Sequence, residues 1–387
     1  MKYNFDKPTN RRNTYSVKWD VEDNVLPMWI ADMDFETAPE IIEGFKERIN
    51  QGIYGYNILP PSMFESYIYW WNKRYHFDIK KEWMVFSTGV IPSISSAVRR
   101  LTEVANNVVV MTPVYNIFFN SIVNNGRKPL QNKLLYKDGI YEVDWADLEN
   151  KLALEETSAL IFCNPHNPIG KIWTKEELIR IGELCKKYNV VVISDEVHGD
   201  LTRPGKSYIP FASVSETNLN NSLTLIAPTK CFNIAGIQTS MAIIPNPYLK
   251  HKFERGLNTD ECAEANTLAT IAPQLAFYKG EEWIDELREY VFANKDYVRD
   301  YINKEIPSLK VIESDALYLL WIDVSNVEPN GTKLRDYILD TTGLYLSDGE
   351  EYGEGGLSFL RMNLATQKSN VIDALSRLKK AIDLYQK

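Results

Sequence analysis

The chain has 387 residues, enough for two or three domains at about 100–200 residues each. Hydrophobic residues make up 44% and charged residues 25%, which excludes a disordered chain and a disulfide-stapled miniature fold. With 43 Lys+Arg against 52 Asp+Glu the net charge is −9, so no basic face for nucleic acid is expected, although a small anion could still sit at a helix N-terminus.

In chain order, the first forty residues show little periodicity but several aromatic and proline positions, and are expected to wrap over a neighbouring domain. The turn Ser87-Thr-Gly-Val90-Ile91 precedes a helix pattern running to about Leu101, with Pro92 in its first turn. Strand-like apolar runs follow at 107–111, 158–163, 190–194, 223–227 and 240–244. Between the second and third of these, residues 174–188 read as a helix. Thr174 and Glu177 make a capping box there, and Leu178, Ile181 and Cys185 form one apolar stripe. Near-continuous apolar strands alternating with helices indicate a mainly parallel α/β sheet. The last hundred residues read as α+β: helices at 281–303, 333–339 and 371–385, strands at 309–313, 317–324 and 357–364. The expected division is an N-terminal segment at 1–45 packing with the small domain, a large domain at 46–284 and a small C-terminal domain at 285–387.

The four cysteines, Cys163, Cys185, Cys231 and Cys262, form no C-x-x-C pair and are too sparse for a disulfide framework. No apolar run approaches the ~20 residues of a membrane span, and the polar start MKYNFDKPTNRR has no signal-peptide stretch. The expectation is a reduced, cytoplasmic protein with no membrane partner.

Chemistry concentrates just beyond the strands. In an open parallel sheet ligands bind outside the carboxyl ends of the strands. Here those ends are followed by Tyr115, by Asn164-Pro-His-Asn167, by Asp195-Glu-Val-His198 and by Thr229-Lys230. An amide, a carboxylate, an imidazole, an amine and a phenol meeting in one cleft suit a charged heteroaromatic cofactor better than a simple hydrolase. Each residue also has a plainer reading: a surface lysine for Lys230, a helix cap for Asp195, a turn residue for Asn167 and a core tyrosine for Tyr115. Asp195, Glu196, His198 and Asp200 are clustered, but their spacing fits no zinc signature. Arg361, inside the apolar run 357–364, needs a partner; that partner is either a structural carboxylate or that of a substrate.

The order and spacing of several motifs identify a family. They include Ser16-Val-Lys-Trp-Asp20, Leu26-Pro-Met-Trp-Ile-Ala-Asp-Met-Asp-Phe35, Gly55-Tyr56, Asn164-Pro-His-Asn-Pro168, Ser194-Asp-Glu-Val-His198, Ala227-Pro-Thr-Lys-Cys-Phe-Asn-Ile-Ala-Gly236 and Arg361-Met-Asn363. Nearly end to end, the chain resembles the fold-type I enzymes dependent on pyridoxal 5'-phosphate (PLP). Within them it resembles the cystathionine β-lyase/cysteine-S-conjugate β-lyase group of the class I and II aminotransferase superfamily. The resemblance implies an aspartate-aminotransferase-like α/β fold and PLP as cofactor. It makes Lys230 the Schiff-base lysine, Asp195 the partner of the pyridine nitrogen, and Asn167 and His198 neighbours of the ring oxygen. Tyr115 becomes the aromatic stacked on the ring and a candidate proton donor. Val90, Ile91 and Thr229 hold the phosphate together with Tyr56 from a second subunit of a homodimer. Arg361 takes the substrate α-carboxylate, with Ala31 and Asp32 at the same end. Aspartate-aminotransferase-like enzymes have a phosphate-binding Ser and Arg where this chain has Ala227 and Gln238, a departure shared with the lyase branch. The expected reaction is elimination of a thiol from L-cystathionine or related S-conjugates, giving pyruvate and ammonia. The alternatives are a class I/II aminotransferase, which uses nearly the same residues, and a non-catalytic PLP-fold regulator.

Overall fold

The computed structural model describes residues 1–387. Two helices, α1 (Pro39–Asn50) and α2 (Pro61–Tyr75), precede the main sheet. Periodicity does not announce α2: its sequence is crowded with tyrosine and tryptophan, residue types that favour strands. It is helical because Tyr67, Trp70 and Trp71 all reach into the core that also holds Phe277 and Trp283. That core also takes in Phe5, Phe35 and Tyr318, so the N-terminal stretch is packed, not trailing.

The central sheet has seven strands. In chain order they are β1 (Met84–Ser87), β2 (Asn107–Thr112), β3 (Lys128–Lys133), β4 (Thr157–Cys163), β5 (Val191–Asp195), β6 (Ser222–Ile226) and β7 (Ser240–Ile243). Across the sheet the order is β1-β7-β6-β5-β4-β2-β3. All pairings are parallel except those of β7, which runs antiparallel to both β1 and β6. The sheet is therefore mixed, with a parallel majority. The sequence marks neither β1 nor the edge strand β3, whose Lys128-Pro-Leu-Gln-Asn-Lys133 is mostly polar as an edge strand should be. Helices α3 (Val90–Leu101) and α4 (Lys175–Lys187) flank the sheet. The predicted capping box of α4 is present: Glu177 N–H donates to the Thr174 hydroxyl at 3.2 Å, and Thr174 N–H donates to the Glu177 carboxylate at 2.8 Å.

After the 25-residue α5 (Glu281–Glu305) comes a four-stranded antiparallel sheet. Its strands are β8 (Lys310–Val311), β9 (Leu319–Asp323), β10 (Ser347–Asp348) and β11 (Phe359–Asn363), in the order β8-β9-β11-β10. Helices α6 (Gly331–Thr342) and α7 (Lys368–Tyr385) cover it. Its core draws Leu26 and Met28 from the N-terminal stretch, and residues Leu26–Pro27 add a short parallel pairing to Leu344–Tyr345. This stretch runs from the small sheet to the mouth of the large one, which carries Ala31 to the carboxyl ends of the parallel strands.

Candidate active site

The carboxyl ends of the central strands open into one cavity of about 240 Å³. Thr88 to Pro92 line it from the end of β1, Tyr115 from beyond β2, and Cys163 and Asn167 from β4. Asp195, Val197 and His198 enter from β5, Thr229 and Lys230 from beyond β6, and Ala31 closes one side. A larger hollow, about 340 Å³, lies between residues 139–141 and 312–315. Its arginines, Arg203 and Arg299, are already ion-paired with Asp296, Asp300 and Asp315. The smaller cavity is where charges remain unpaired.

Lys230 is partly buried and donates from Nζ to the Ala31 carbonyl at 2.8 Å. Tyr318 donates its hydroxyl to the same oxygen at 3.0 Å, so Ala31 is fixed from two sides. Burial and the nearby Arg361 charge lower the Lys230 ammonium pKa, against the pull of Asp32 and Asp195. A lysine in that state reaches its neutral, nucleophilic form at lower pH than a surface lysine does.

Asp195 ends β5 and receives one hydrogen bond, from Val197 N–H at 3.1 Å. Burial pushes its carboxyl up to about 6, only partly opposed by that N–H and by Lys230. His198 is buried and held neutral: burial, then the charges of Lys230 and Arg361, push its imidazole down to about 3. Its Nδ1 has no hydrogen-bond partner. Asn167 is fixed by its N–H to Cys163 Sγ at 3.4 Å and accepts from Arg361 Nη1 on Oδ1 at 3.4 Å. Burial likewise raises the Tyr115 phenol, partly offset by Arg361. The first turn of α3, beginning at Val90 and Ile91, has no side-chain cap. Its N–H groups therefore face the cavity as a ready anion cradle.

Arg361 lies on β11 and is only 4% exposed. Nη2 donates to the Trp29 carbonyl at 2.8 Å and to the Ser347 hydroxyl at 3.3 Å, and the guanidinium lies 5.0 Å from the Tyr352 ring centre. No carboxylate is paired with it, and Nε has no partner at all. The structural-salt-bridge reading of Arg361 therefore fails. A buried cation held only by neutral groups is a site for an anion that arrives with a ligand.

Two of the expected residues lie outside this chain's own cavity, one of them, Tyr56, expected there only from a second subunit. Asp32 does not line the cavity; its carboxylate is gripped by Arg11, with Nη2 on Oδ2 at 2.6 Å and Nη1 on Oδ1 at 3.0 Å. The pairing wins because Arg11 is fixed at the same time by Asp34, a partner the spacing of residues 32 and 34 does not reveal. Tyr56 is 101% exposed on the 53–58 stretch, away from this chain's own cavity. Conversely, the sequence does not single out Cys163, which lines the cavity beside Asn167, or Tyr318, which anchors the Ala31 carbonyl. Cys163 ends an apolar strand and reads as core; Tyr318 acts on a backbone atom, which has no sequence signature.

The description "aminotransferase class I and II" matches residues 23–378 as a family model. The chain belongs to this family. Among curated relatives, the cystathionine beta-lyase PatB of Bacillus subtilis is 39% identical, over 98% of this chain and 100% of its own. Among solved structures, a PLP-bound putative aminotransferase from Clostridium difficile 630 superposes with a TM-score of 0.95 at 37% identity, covering 98% of this chain and 100% of its own. A PLP-bound C-S lyase from Staphylococcus hominis gives 0.92 at 31% identity, covering 99% and 98%. The fold is that of the family, an aminotransferase-like α/β protein with a mixed central sheet. Its cavity has a primary amine, a carboxylate without a cation and an uncapped helix start, and behind its lining residue Asn167 stands a guanidinium without an anion.

Proposed function

We infer that the protein is a PLP-dependent carbon–sulfur β-lyase that eliminates a thiol from L-cystathionine or related L-cysteine S-conjugates. The observation that carries this reading is the pair of uncompensated buried charges, Asp195 and Arg361, both near enough to act on Lys230. The names of the curated lyase relative and the C-S lyase structure support the same choice.

The residues suit the cofactor. Asp195 would pair with a protonated ring nitrogen, which supplies the cation its buried carboxylate lacks. Tyr115 offers a flat face to the ring, and Asn167 and His198, with its unpartnered Nδ1, offer donors to the ring oxygen. The phosphate would take the N–H groups of Val90 and Ile91 and the Thr229 hydroxyl. When bound, PLP supplies an electron sink that lets the Cα–H bond of an amino acid ionise.

The protein's own groups do the rest. Arg361 would take the α-carboxylate through the donors now unused, fixing the amino acid beside Lys230. Lys230, biased toward its neutral form, accepts the Cα proton. The thiolate leaving Cβ takes a proton from Tyr115 or from Lys230, and one water is consumed as pyruvate and ammonia form.

The 46–284 stretch acts as the cofactor domain, 285–387 as the small domain and 1–45 as the strap joining them. Two copies form a homodimer in which Tyr56 serves the neighbouring cavity. Exposed Ile53, Tyr54 and Ile58 around it support that pairing. The compartment is the cytoplasm.

The deciding measurement is pyruvate release from L-cystathionine by the PLP-loaded protein without any added oxo-acid. Pyruvate should accumulate, and Lys230→Ala should lower the rate by at least about a thousandfold. Turnover that instead requires an oxo-acid acceptor would assign the protein to transamination, the activity in the Clostridium difficile protein's name.

A further inference from the structure

Glu351 stands beside the site with an exposed carboxylate and no cation of its own. Its Oε2 accepts a hydrogen bond from Asn116 Nδ2 at 2.9 Å, and Asn116 directly follows Tyr115. No lysine or arginine closes an ion pair on it; its basic neighbour Arg335 is paired with Asp336 and Asp348. The loop that carries Glu351 is pinned on both sides. Val114 N–H donates to the Tyr352 carbonyl at 2.9 Å, and Glu354 N–H donates to Gln131 Oε1 at 2.8 Å. Gly353 holds a φ of +86° with the side chains of Gln131, Phe119 and Thr112 where a Cβ would point, so the loop lies tight on the end of β2. Tyr352, the next residue, stacks under Arg361.

The Glu351 charge acts on both Tyr115 and Arg361, and its partial desolvation raises its own carboxyl despite the Arg361 charge. An amino acid anchored at Arg361 with its Cα at Lys230 sends its leaving half past Tyr115. Asn116 follows Tyr115 in the chain and holds Glu351, whose charge reaches that phenol. A cation arriving there meets an unpaired, oriented carboxylate; an anion is repelled.

We propose that Glu351, oriented by Asn116, selects cysteine S-conjugates whose leaving thiol carries an ammonium group. The selection rests on the lyase reading above, and its test separates the two. Binding is measured by calorimetry with L-lysine, which has the length of S-(2-aminoethyl)-L-cysteine but no leaving group, against the neutral L-norleucine. Turnover is measured as pyruvate from S-(2-aminoethyl)-L-cysteine against S-ethyl-L-cysteine. A pair worth about 1 kcal/mol at an open edge corresponds to about a fivefold preference. Both lysine/norleucine and aminoethyl/ethyl ratios should therefore fall about fivefold in Glu351→Gln. They should stay at the wild-type value in Glu354→Gln, a neighbouring exposed carboxylate outside the site. Unchanged ratios in Glu351→Gln, or an equal fall in Glu354→Gln, would overturn the proposal. Absence of pyruvate from every conjugate would sink the lyase reading, and the calorimetric ratio alone would then uphold or overturn charge selection at Glu351.

Discussion

Asp34 and Asp195 are almost equally hidden, at 2% and 5% exposure, yet their carboxyls shift in opposite directions. Burial pushes both up. At Asp34 it is outweighed: Lys18 Nζ, Trp19 Nε1 and Arg11 Nη1 each donate to the carboxylate at 2.8 Å, and its pKa falls. At Asp195 one backbone N–H and a more distant lysine do not suffice, and the carboxyl rises to about 6. The first is a finished ion network tying the N-terminal stretch together. The second is an unfinished one, completed only when a cation enters the cavity. Burial alone does not separate structural from functional carboxylates; the state of the partner list does.

Breaking the unfinished network should have the largest effect. Asp195→Asn retains the shape but cannot hold a ring cation, so elimination should drop by at least about a hundredfold. Loss of bound PLP on dialysis should accompany it, and Asp195→Glu should restore part of both. Full activity with tightly held cofactor in Asp195→Asn would remove the carboxylate from the mechanism.

Breaking the finished network should cost stability. Asp34→Asn leaves the fully buried Lys18 with only Asp32, at 3.8 Å, and removal of one partner from a buried pair costs about 3–5 kcal/mol. The urea midpoint reports it. Because the folded pKa of Asp34 is depressed, its stabilisation is complete above the ordinary value of 3.8 and is lost as pH falls through the folded value. Wild type should therefore lose its advantage over Asp34→Asn in strong acid; an equal gap at every pH would show that the ion pair is not its source.

The contrast also separates what could be read from the sequence. Asp195, Asn167, Tyr115 and Lys230 follow apolar runs, so the rule that ligands gather at strand ends places them before any coordinates exist, and the cavity does collect them. Arg361 stands out as a cation inside an apolar strand. The direction of β7 does not stand out, because 240–244 is equally apolar whichever way it runs. Nor does the grip of Arg11 on Asp32, since it depends on where a loop with little periodicity folds back. The Ala31 carbonyl that receives both Lys230 and Tyr318 is a backbone atom, and composition says nothing about it.

The smallest effect concerns the carboxylate next to Asp195. Successive side chains of a strand alternate in direction. So Glu196 turns away from the cavity, accepting from Phe211 N–H at 2.8 Å, from the Ser194 hydroxyl at 2.9 Å and from Asn164 Nδ2 at 3.4 Å. Burial nonetheless wins and pushes its carboxyl up to about 7. These neutral donors resemble those at Arg361 more than the cations at Asp34, but no ligand cavity adjoins Glu196. Its folded value lies above the ordinary 4.5, so its contribution is fully present below that pH and is lost as pH rises toward 7. At about 1.4 kcal/mol per pH unit, wild type should lose roughly 2–3 kcal/mol over that window. Glu196→Gln keeps the acceptor oxygen and cannot ionise, so it should match wild type near pH 4.5 and exceed it at pH 8. Urea midpoints of the PLP-loaded protein across that range measure the gap. If the fall persists undiminished in Glu196→Gln, the titrating group is another one, and burial at Glu196 is offset by its three donors as completely as burial at Asp34 is offset by its cations.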